Sequence, residues 1–388
     1  MLTSFFAESL AYVPADEAWF SRIPASGAVY LLTGAGEAVI QLASTGDLRR
    51  ALKARLAPET ATEENPTRSR RADLREVVQT VWWTPAHSAF ELTWIYYTVA
   101  RQLMPHNYLR QVGFGPAWFV YVDPHAAIPQ LVVSKYLRGE PGMDLGPMAT
   151  SADATRFVEI LTDAFDLCRY YEILEKAPHG QACAYFEMGK CPAPCDGTIP
   201  LERYRQMMAE AVRFGLGDRT AGYERLDAAM RRAAAERAFE RAGVIKKQLD
   251  RARTIEHPAF RHVRTLDRFT WLVLQRGPGR STVKPFFVRG GAIERGEPVR
   301  LRQVDEHLPA WIERVRQPAI AQDLRMRSEQ VWLVSHFLFK DNPPGLFVHA
   351  SELDEPGLAE RIRERFSAAV RPDELGAMPA TPPDAGGS

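Results

Sequence analysis

Cysteine is scarce in this 388-residue chain, and an excess of charge of either sign is absent: there are four cysteines, and 49 Lys and Arg face 48 Asp and Glu for a net charge of +1. So balanced a charge excludes a broadly basic coat, and any DNA contact must come from local basic patches. No apolar run reaches the length of a membrane span, so no membrane association is expected. The stretch Met1 to Glu8 lacks a basic n-region and a long apolar core, which predicts no signal peptide and a cytoplasmic protein. No GxxxxGK[ST] string is present, so ATP use by this chain is not expected. What remains is an ordinary globular composition, 46% hydrophobic and 25% charged, in a chain long enough for two or three domains.

The few cysteines are not scattered. Cys168, Cys183, Cys191 and Cys195 follow a C-x14-C-x7-C-x3-C pattern that ends Cys191-Pro192-Ala193-Pro194-Cys195. Chance would bring four cysteines this close about one time in a thousand, so the clustering calls for a cause. Disulfides need an oxidising compartment, which nothing else suggests. Zinc sites usually show two short cysteine pairs, and only one pair is short here. Four thiolates spread over a Pro-rich turn fit an iron–sulfur cluster better. Zinc ligation and ordinary buried thiols stand as the alternatives.

Along the chain, Val29–Leu32 and Ala38–Leu42 read as a hairpin around Thr33-Gly34-Ala35-Gly36. Gly46-Asp47 opens a helix with Leu48, Leu52 and Leu56 at helical spacing and Arg49, Arg50, Lys53 and Arg55 outside. Pro58 to Arg71 reads as a mobile polar insertion. A strand over 77–83 and a helix over 86–104, stopped by Pro105, follow. Strands are expected at 118–122 and 131–134, and a helix over 152–168. Leu201 to Ile255 reads as helical throughout. Strands at 269–274 and 283–288, a turn at Arg289-Gly290-Gly291 and a return at Ala292-Ile293 open a last domain. Helices at 304–315 and 326–339 and a strand at 346–349 complete it. The Gly/Pro/Ala-rich stretch from Gly376 reads as a disordered tail.

Several of these segments carry a resemblance. Cys183-Ala184-Tyr185-Phe186-Glu187-Met188-Gly189-Lys190-Cys191-Pro192-Ala193-Pro194-Cys195 resembles the cysteine segment of the UvrC excinuclease subunit and its Cho-type relatives. Ala28-Val29-Tyr30, Asp47-Leu48-Arg49-Arg50 and Met104-Pro105-His106-Asn107-Tyr108 resemble motifs of that family's GIY-YIG nuclease domain. Leu145-Gly146-Pro147 looks like its Phe-Gly-Pro segment. Residues 235–249, with Phe239-Glu240 and Ala242 at its Phe-Glu-x-Ala core and Lys246 at its arginine, resemble its UVR motif. Phe286-Phe287-Val288-Arg289-Gly290-Gly291 matches the hairpin that follows it.

The resemblance implies an α+β, multi-module protein. Its units would be a nuclease-like domain over 1–110, an α/β module with the cysteines over 111–200 and a helical UVR region over 201–256. A C-terminal α/β domain over 257–350 and a helical or disordered tail over 351–388 would follow. It implies a 4Fe–4S cluster on Cys168, Cys183, Cys191 and Cys195. It also implies DNA as a partner, with Arg49 and Arg50 as candidate contacts and Lys135, Arg138 and Arg156 as further basic positions. A UvrB-like helicase subunit would dock on Phe239, Glu240, Ala242 and Lys246, with Leu249 sharing the presented face.

The departures bear on chemistry. Tyr30 is the only match to a catalytic position. Gln41 replaces the second tyrosine, Ser44 a lysine, Ala51 the helix arginine and Tyr96 the metal-holding glutamate. Glu91 lies about 140° round the helix from Tyr96 and is expected to face elsewhere. Divalent Mg or Mn is expected only if the nuclease site is active, and most catalytic groups are replaced. Two functions follow as expectations: a repair factor that binds DNA and a UvrB-type partner without cutting, or an active metal-dependent endonuclease. No Asp-Ile-Ser-His string of the family's second nuclease is present.

Overall fold

The computed structural model describes residues 2–14, 16–56 and 73–367. Pro58 to Arg71, read as a polar insertion, and the tail from Gly376 lie outside the described residues. The fold is α+β, with three antiparallel sheets and helices against each.

The first sheet is built from β1 (Glu8–Ala11), β2 (Ala28–Thr33), β3 (Val39–Thr45) and β4 (Thr80–Pro85), in the order β1-β4-β2-β3. The hairpin of β2 and β3 forms as its alternation predicts, pairing Tyr30 with Ala43. β1 has no apolar alternation to announce it and forms because β4 offers it an open edge. α1 (Leu48–Leu56) buries Leu48, Leu52 and Leu56 completely, the i, i+4, i+8 stripe of its sequence. α2 (Ala89–Leu103) starts three residues later than expected because Ser88 caps it, its hydroxyl accepting from the Glu91 amide at 3.1 Å. Successive residues of β2 serve different cores. Ala28, Tyr30 and Leu32 pack with α1, whereas Val29 and Leu31 pack with α2.

The second sheet combines β5 (Trp118–Val122), β6 (Val132–Ser134), β7 (Met143–Met148) and a later two-residue strand, β8 (Arg264–Thr265), in the order β6-β5-β7-β8. β7 escapes a sequence reading because Gly146-Pro147 looks like a turn. Gly146 is needed there: a Cβ would meet Phe119 Cδ1 at 2.6 Å and the Trp118 carbonyl at 2.9 Å. α3 (Ser151–Ala164) packs on this sheet, and the short α4 (Tyr171–Leu174) and α5 (Ala184–Glu187) follow in the cysteine segment. The long helical stretch divides into α6 (Leu201–Gly215), α7 (Thr220–Ala235) and α8 (Phe239–Arg253). α7 and α8 form a hairpin turned by Arg237 in the left-handed region (φ 60°). There the Ala238 and Arg237 amides donate back to the Ala233 and Ala234 carbonyls at 2.9 and 3.0 Å. β8 (Arg264–Thr265) then closes the second sheet.

The third sheet contains β9 (Trp271–Arg276), β10 (Thr282–Arg289), β11 (Ala292–Arg295), β12 (Val299–Arg300) and, after α9 (Val304–Arg316) and α10 (Leu324–Leu338), β13 (Leu346–His349). Gly290 and Gly291, at φ 52° and 90°, form the two-residue turn between Arg289 and Ala292. α9 and a final helix, α11 (Leu358–Ser367), cover one face through Trp311, Ile362 and Phe366. The other face shares a single core with α10 and α2. Glu329 of α10, fully buried, fixes that junction. It accepts from the hydroxyls of Tyr97 (2.8 Å) and Tyr108 (2.6 Å) and from Arg101 (3.2 Å) and Arg325 (3.1 Å). No helix among the described residues is long and apolar enough to cross a membrane.

Candidate functional site

The cysteine segment folds back on itself between α3 and α6. Cys168 follows the end of α3, Cys183 stands just ahead of α5, and Cys195 lies in a short 3-10 turn over Pro194–Asp196. The wrap is held by the amide of Gly180 donating to the Cys195 carbonyl at 2.8 Å and that of Lys190 to the Tyr185 carbonyl at 2.9 Å. Ala193, at φ 51°, takes a left-handed conformation unusual for a residue with a Cβ, and this turns the chain between Cys191 and Cys195.

All four thiols are free; Cys191 and Cys195 are buried and the other two half-buried. Cys168 and Cys195 each interact with the other three through charge or a hydrogen bond, so the loop brings four positions into one neighbourhood. The hydrogen bond between Cys168 and Cys191 draws the Cys168 thiol below its ordinary pKa and pushes Cys191 up. Burial raises Cys195. Arg169 braces the loop from outside. Its guanidinium lies 4.7 Å from the Tyr185 ring centroid, donates to the Lys190 carbonyl at 3.1 Å and pairs with Asp163. Among the described residues no three His, Cys, Asp or Glu side chains converge as they would on a single metal ion.

The nuclease-like positions are not assembled. Tyr30 is almost fully buried in β2, and burial raises its hydroxyl pKa. Tyr96, on α2, packs into the other core with its hydroxyl 3.3 Å from Gln111 Oε1. Tyr30 and Tyr96 therefore point to opposite faces of the sheet. Gln41 accepts from Arg55 Nε at 3.2 Å, Ser44 sits in β3 opposite Val29, and Ala51 packs half-buried on α1. Arg55, one helical turn beyond Ala51, is the cation whose field reaches Tyr30, a neighbour that the motif comparison did not single out. Arg49 is tied to backbone, donating to the Ile23 carbonyl at 2.7 Å, while Arg50 is exposed. Glu91 accepts from Lys284 of β10 at 2.6 Å.

On the helical hairpin, Phe239 stands 70% exposed, Glu240 and Lys246 are exposed and Ala242 is half-buried. Leu249 corrects one expectation. It does not share the presented face but is buried with Ala252 in the core of α3 and α6, because α8 lays that stripe on α3. Val244, 53% exposed, is the apolar side chain that accompanies Phe239 outside. Of the other basic positions, Arg138 stacks 5.5 Å from the Tyr121 ring centroid, Lys135 lies 5.5 Å from that of Tyr136, and Arg156 is exposed.

β5 to β7 of the second sheet, α3, the cysteine loop and nearly all of α6 fall within a recognised domain: residues 117–214 match the family described as UvrC/Cho excinuclease, middle domain. UvrABC system protein C of Nitrobacter winogradskyi is 29% identical over 163 residues, 42% of this chain and 24% of that protein. Longer alignments reach the proteins of the same name from Nitrobacter hamburgensis (23% over 268 residues, 69% of this chain and 38% of the relative) and Syntrophotalea carbinolica (24% over 275 residues, 71% and 42%). The chain spans less than half the length of these curated relatives. No solved structure matches it. Residues 117–214 therefore form an excinuclease-type middle domain. The chain is a relative of the UvrC/Cho-type excinuclease subunits.

Proposed function

We propose that this protein is a UvrC/Cho-like nucleotide-excision-repair factor of the cytoplasm that binds DNA and a UvrB-type partner and no longer cuts DNA. The observation that carries the reading is the gathering of four free thiols inside the matched middle domain, while Tyr30 and Tyr96 face away from each other. A 4Fe–4S cluster is in keeping with the donor set: four free thiols in one loop, two of them buried and two half-buried. Cys168, Cys183, Cys191 and Cys195 would hold it, and it would clamp the loop between α3 and α6 and offer one-electron chemistry there. The loop itself supplies the shielding. Cys191 and Cys195 are buried, and Arg169 places a positive charge beside a site that four thiolates would make negative.

The first sheet supports the reading that cutting is lost. Phosphodiester hydrolysis needs a metal or equivalent charge near the nucleophile and leaving oxygen. Tyr30 has Arg55 as its charged neighbour, and the metal-holding position is an aromatic in another core. Arg55 is also the observation that favours the second reading, an active endonuclease in which this arginine replaces the missing one. Incubating the cluster-loaded protein with damaged duplex and Mg²⁺ or Mn²⁺ separates them. The first reading expects binding without incision, and incision abolished by Tyr30→Phe and Arg55→Ala would establish the second.

A further inference from the structure

A cleft of about 910 Å³ opens where the loop after α8 and the start of α7 meet the edge of the third sheet. Five cationic side chains line it, Arg219, Arg261, Arg264, Arg268 and Lys340, against three acids, Glu256, Asp341 and Glu352. Two of the acids are engaged already: Glu256 accepts from the Tyr223 hydroxyl at 2.9 Å, and Glu352 stands 3.5 Å from Arg361. Among the described residues none of the five makes an ion pair with a carboxylate, and Glu352 reaches Arg264 only through its field. Arg264 stacks 5.1 Å from the Trp271 ring centroid and donates only to the carbonyls of His262 and Arg261. Arg261 donates to His262 Nε2 at 2.8 Å, and Lys340 lies over Phe337. Arg219 Nε is buried with no hydrogen-bond partner. Holding like charges together, partly desolvated and unpaired, is unfavourable unless an anion joins them.

The larger groove beside the cysteines, about 1210 Å³, is lined by six cations and three acids. Two of its arginines are answered there, Arg169 by Asp163 and Arg251 by Glu159 and Asp163. We infer that the cleft of Arg219, Arg261, Arg264, Arg268 and Lys340 holds the phosphodiester backbone of a DNA strand. The inference rests on the reading of the protein as a DNA-binding repair factor and locates the contact at the junction of the helical hairpin and the third sheet. The charges come from three separate segments around an open cleft, which suits a chain of phosphates better than one small anion.

The test is a salt titration of DNA binding by the whole protein, using fluorescence anisotropy with a labelled duplex. Arg261, Arg268 and Lys340 are exposed, so the triple variant Arg261→Ala/Arg268→Ala/Lys340→Ala should keep its fold, which thermal melting checks. Each phosphate contact contributes about 0.9 to the slope of log K against log salt, so the variant's slope should be shallower by about 2.7. Wild-type binding with an unchanged slope in the variant overturns the cleft and leaves the DNA-binding reading standing. Absence of DNA binding by the wild-type protein overturns both. Displacement of the duplex by inorganic phosphate or a mononucleotide at equal phosphate concentration would replace the backbone assignment with a small-anion site.

Discussion

Glu91 Oε1 lies 2.6 Å from Nζ of Lys284, 193 residues further along the chain. The carboxylate is fully buried on α2, and the ammonium, on β10, is nearly so. Glu91 also accepts from the His87 amide at 3.0 Å. The acid nearest the position where a metal-holding glutamate would stand is thus committed to joining the first sheet's helix to the third sheet. This pair and the Glu329 network make one core of segments far apart in sequence.

Removing Lys284 leaves the buried Glu91 carboxylate with only the more distant Arg295, 3.9 Å away, to compensate it. Lys284→Met should therefore destabilise the protein, by less than the about 3–5 kcal/mol of a fully uncompensated buried charge. The double variant Glu91→Gln/Lys284→Met should lose much less than the sum of the two single losses. Urea unfolding of all four proteins checks this, and a Lys284→Met variant as stable as wild type would show that the pair is dispensable.

The four thiols make the second prediction. Anaerobically purified protein should be brown, with a broad visible absorption band, and Cys191→Ser should bleach it. Stoichiometric zinc without iron after anaerobic loading would sink the cluster and leave zinc as the group that the loop holds.

The third concerns the nuclease-like sheet. Restoring the family residues together, Gln41→Tyr, Ser44→Lys, Ala51→Arg and Tyr96→Glu, should not restore nicking. A glutamate at 96 would be buried in the α2 core, on the far side of the sheet from Tyr30. Burying a carboxylate without a partner is unfavourable, so Tyr96→Glu alone should lower stability. Nicking of damaged duplex by the fourfold variant would mean that the two faces communicate.

Phe239 offers a sharper separation of stability from binding. With 70% of its surface exposed, Phe239→Ala should change stability by no more than about 0.5 kcal/mol. If it anchors a UvrB-type partner, the same change should cost at least about 2 kcal/mol of affinity, a loss of roughly 30-fold. Calorimetric titration of the partner decides it, and unchanged affinity removes Phe239 from the interface.

His262 predicts a pH dependence. Burial, and then the neighbouring Arg261 and Arg264, lower its pKa from 6.5 to about 3. The folded state keeps it neutral where the unfolded state takes up a proton, so its contribution to stability is full above about pH 6.5 and lost as pH falls toward 3. His262→Gln should therefore flatten the decline of stability between about pH 6.5 and 4.5. Unfolding free energies of the two proteins that run parallel across that window would rule it out.

The sequence by itself determined the elements whose signal is local. Leu48, Leu52 and Leu56 specify α1, Gly290-Gly291 specifies the turn of β10 and β11, and the crowding of the cysteines marks the loop, because periodicity, turn conformation and spacing are properties of neighbours along the chain. Tertiary structure decided everything that depends on distant partners. β1 exists because β4 has a free edge, β7 forms through Gly146-Pro147 because β5 and β8 supply its partners, and Leu249 is buried because α3 lies against it. The unpaired cleft of Arg219, Arg261 and Lys340 belongs to the same class. Its charges come from three separate segments, and only packing brings them to one wall-lined space without enough carboxylates to answer them.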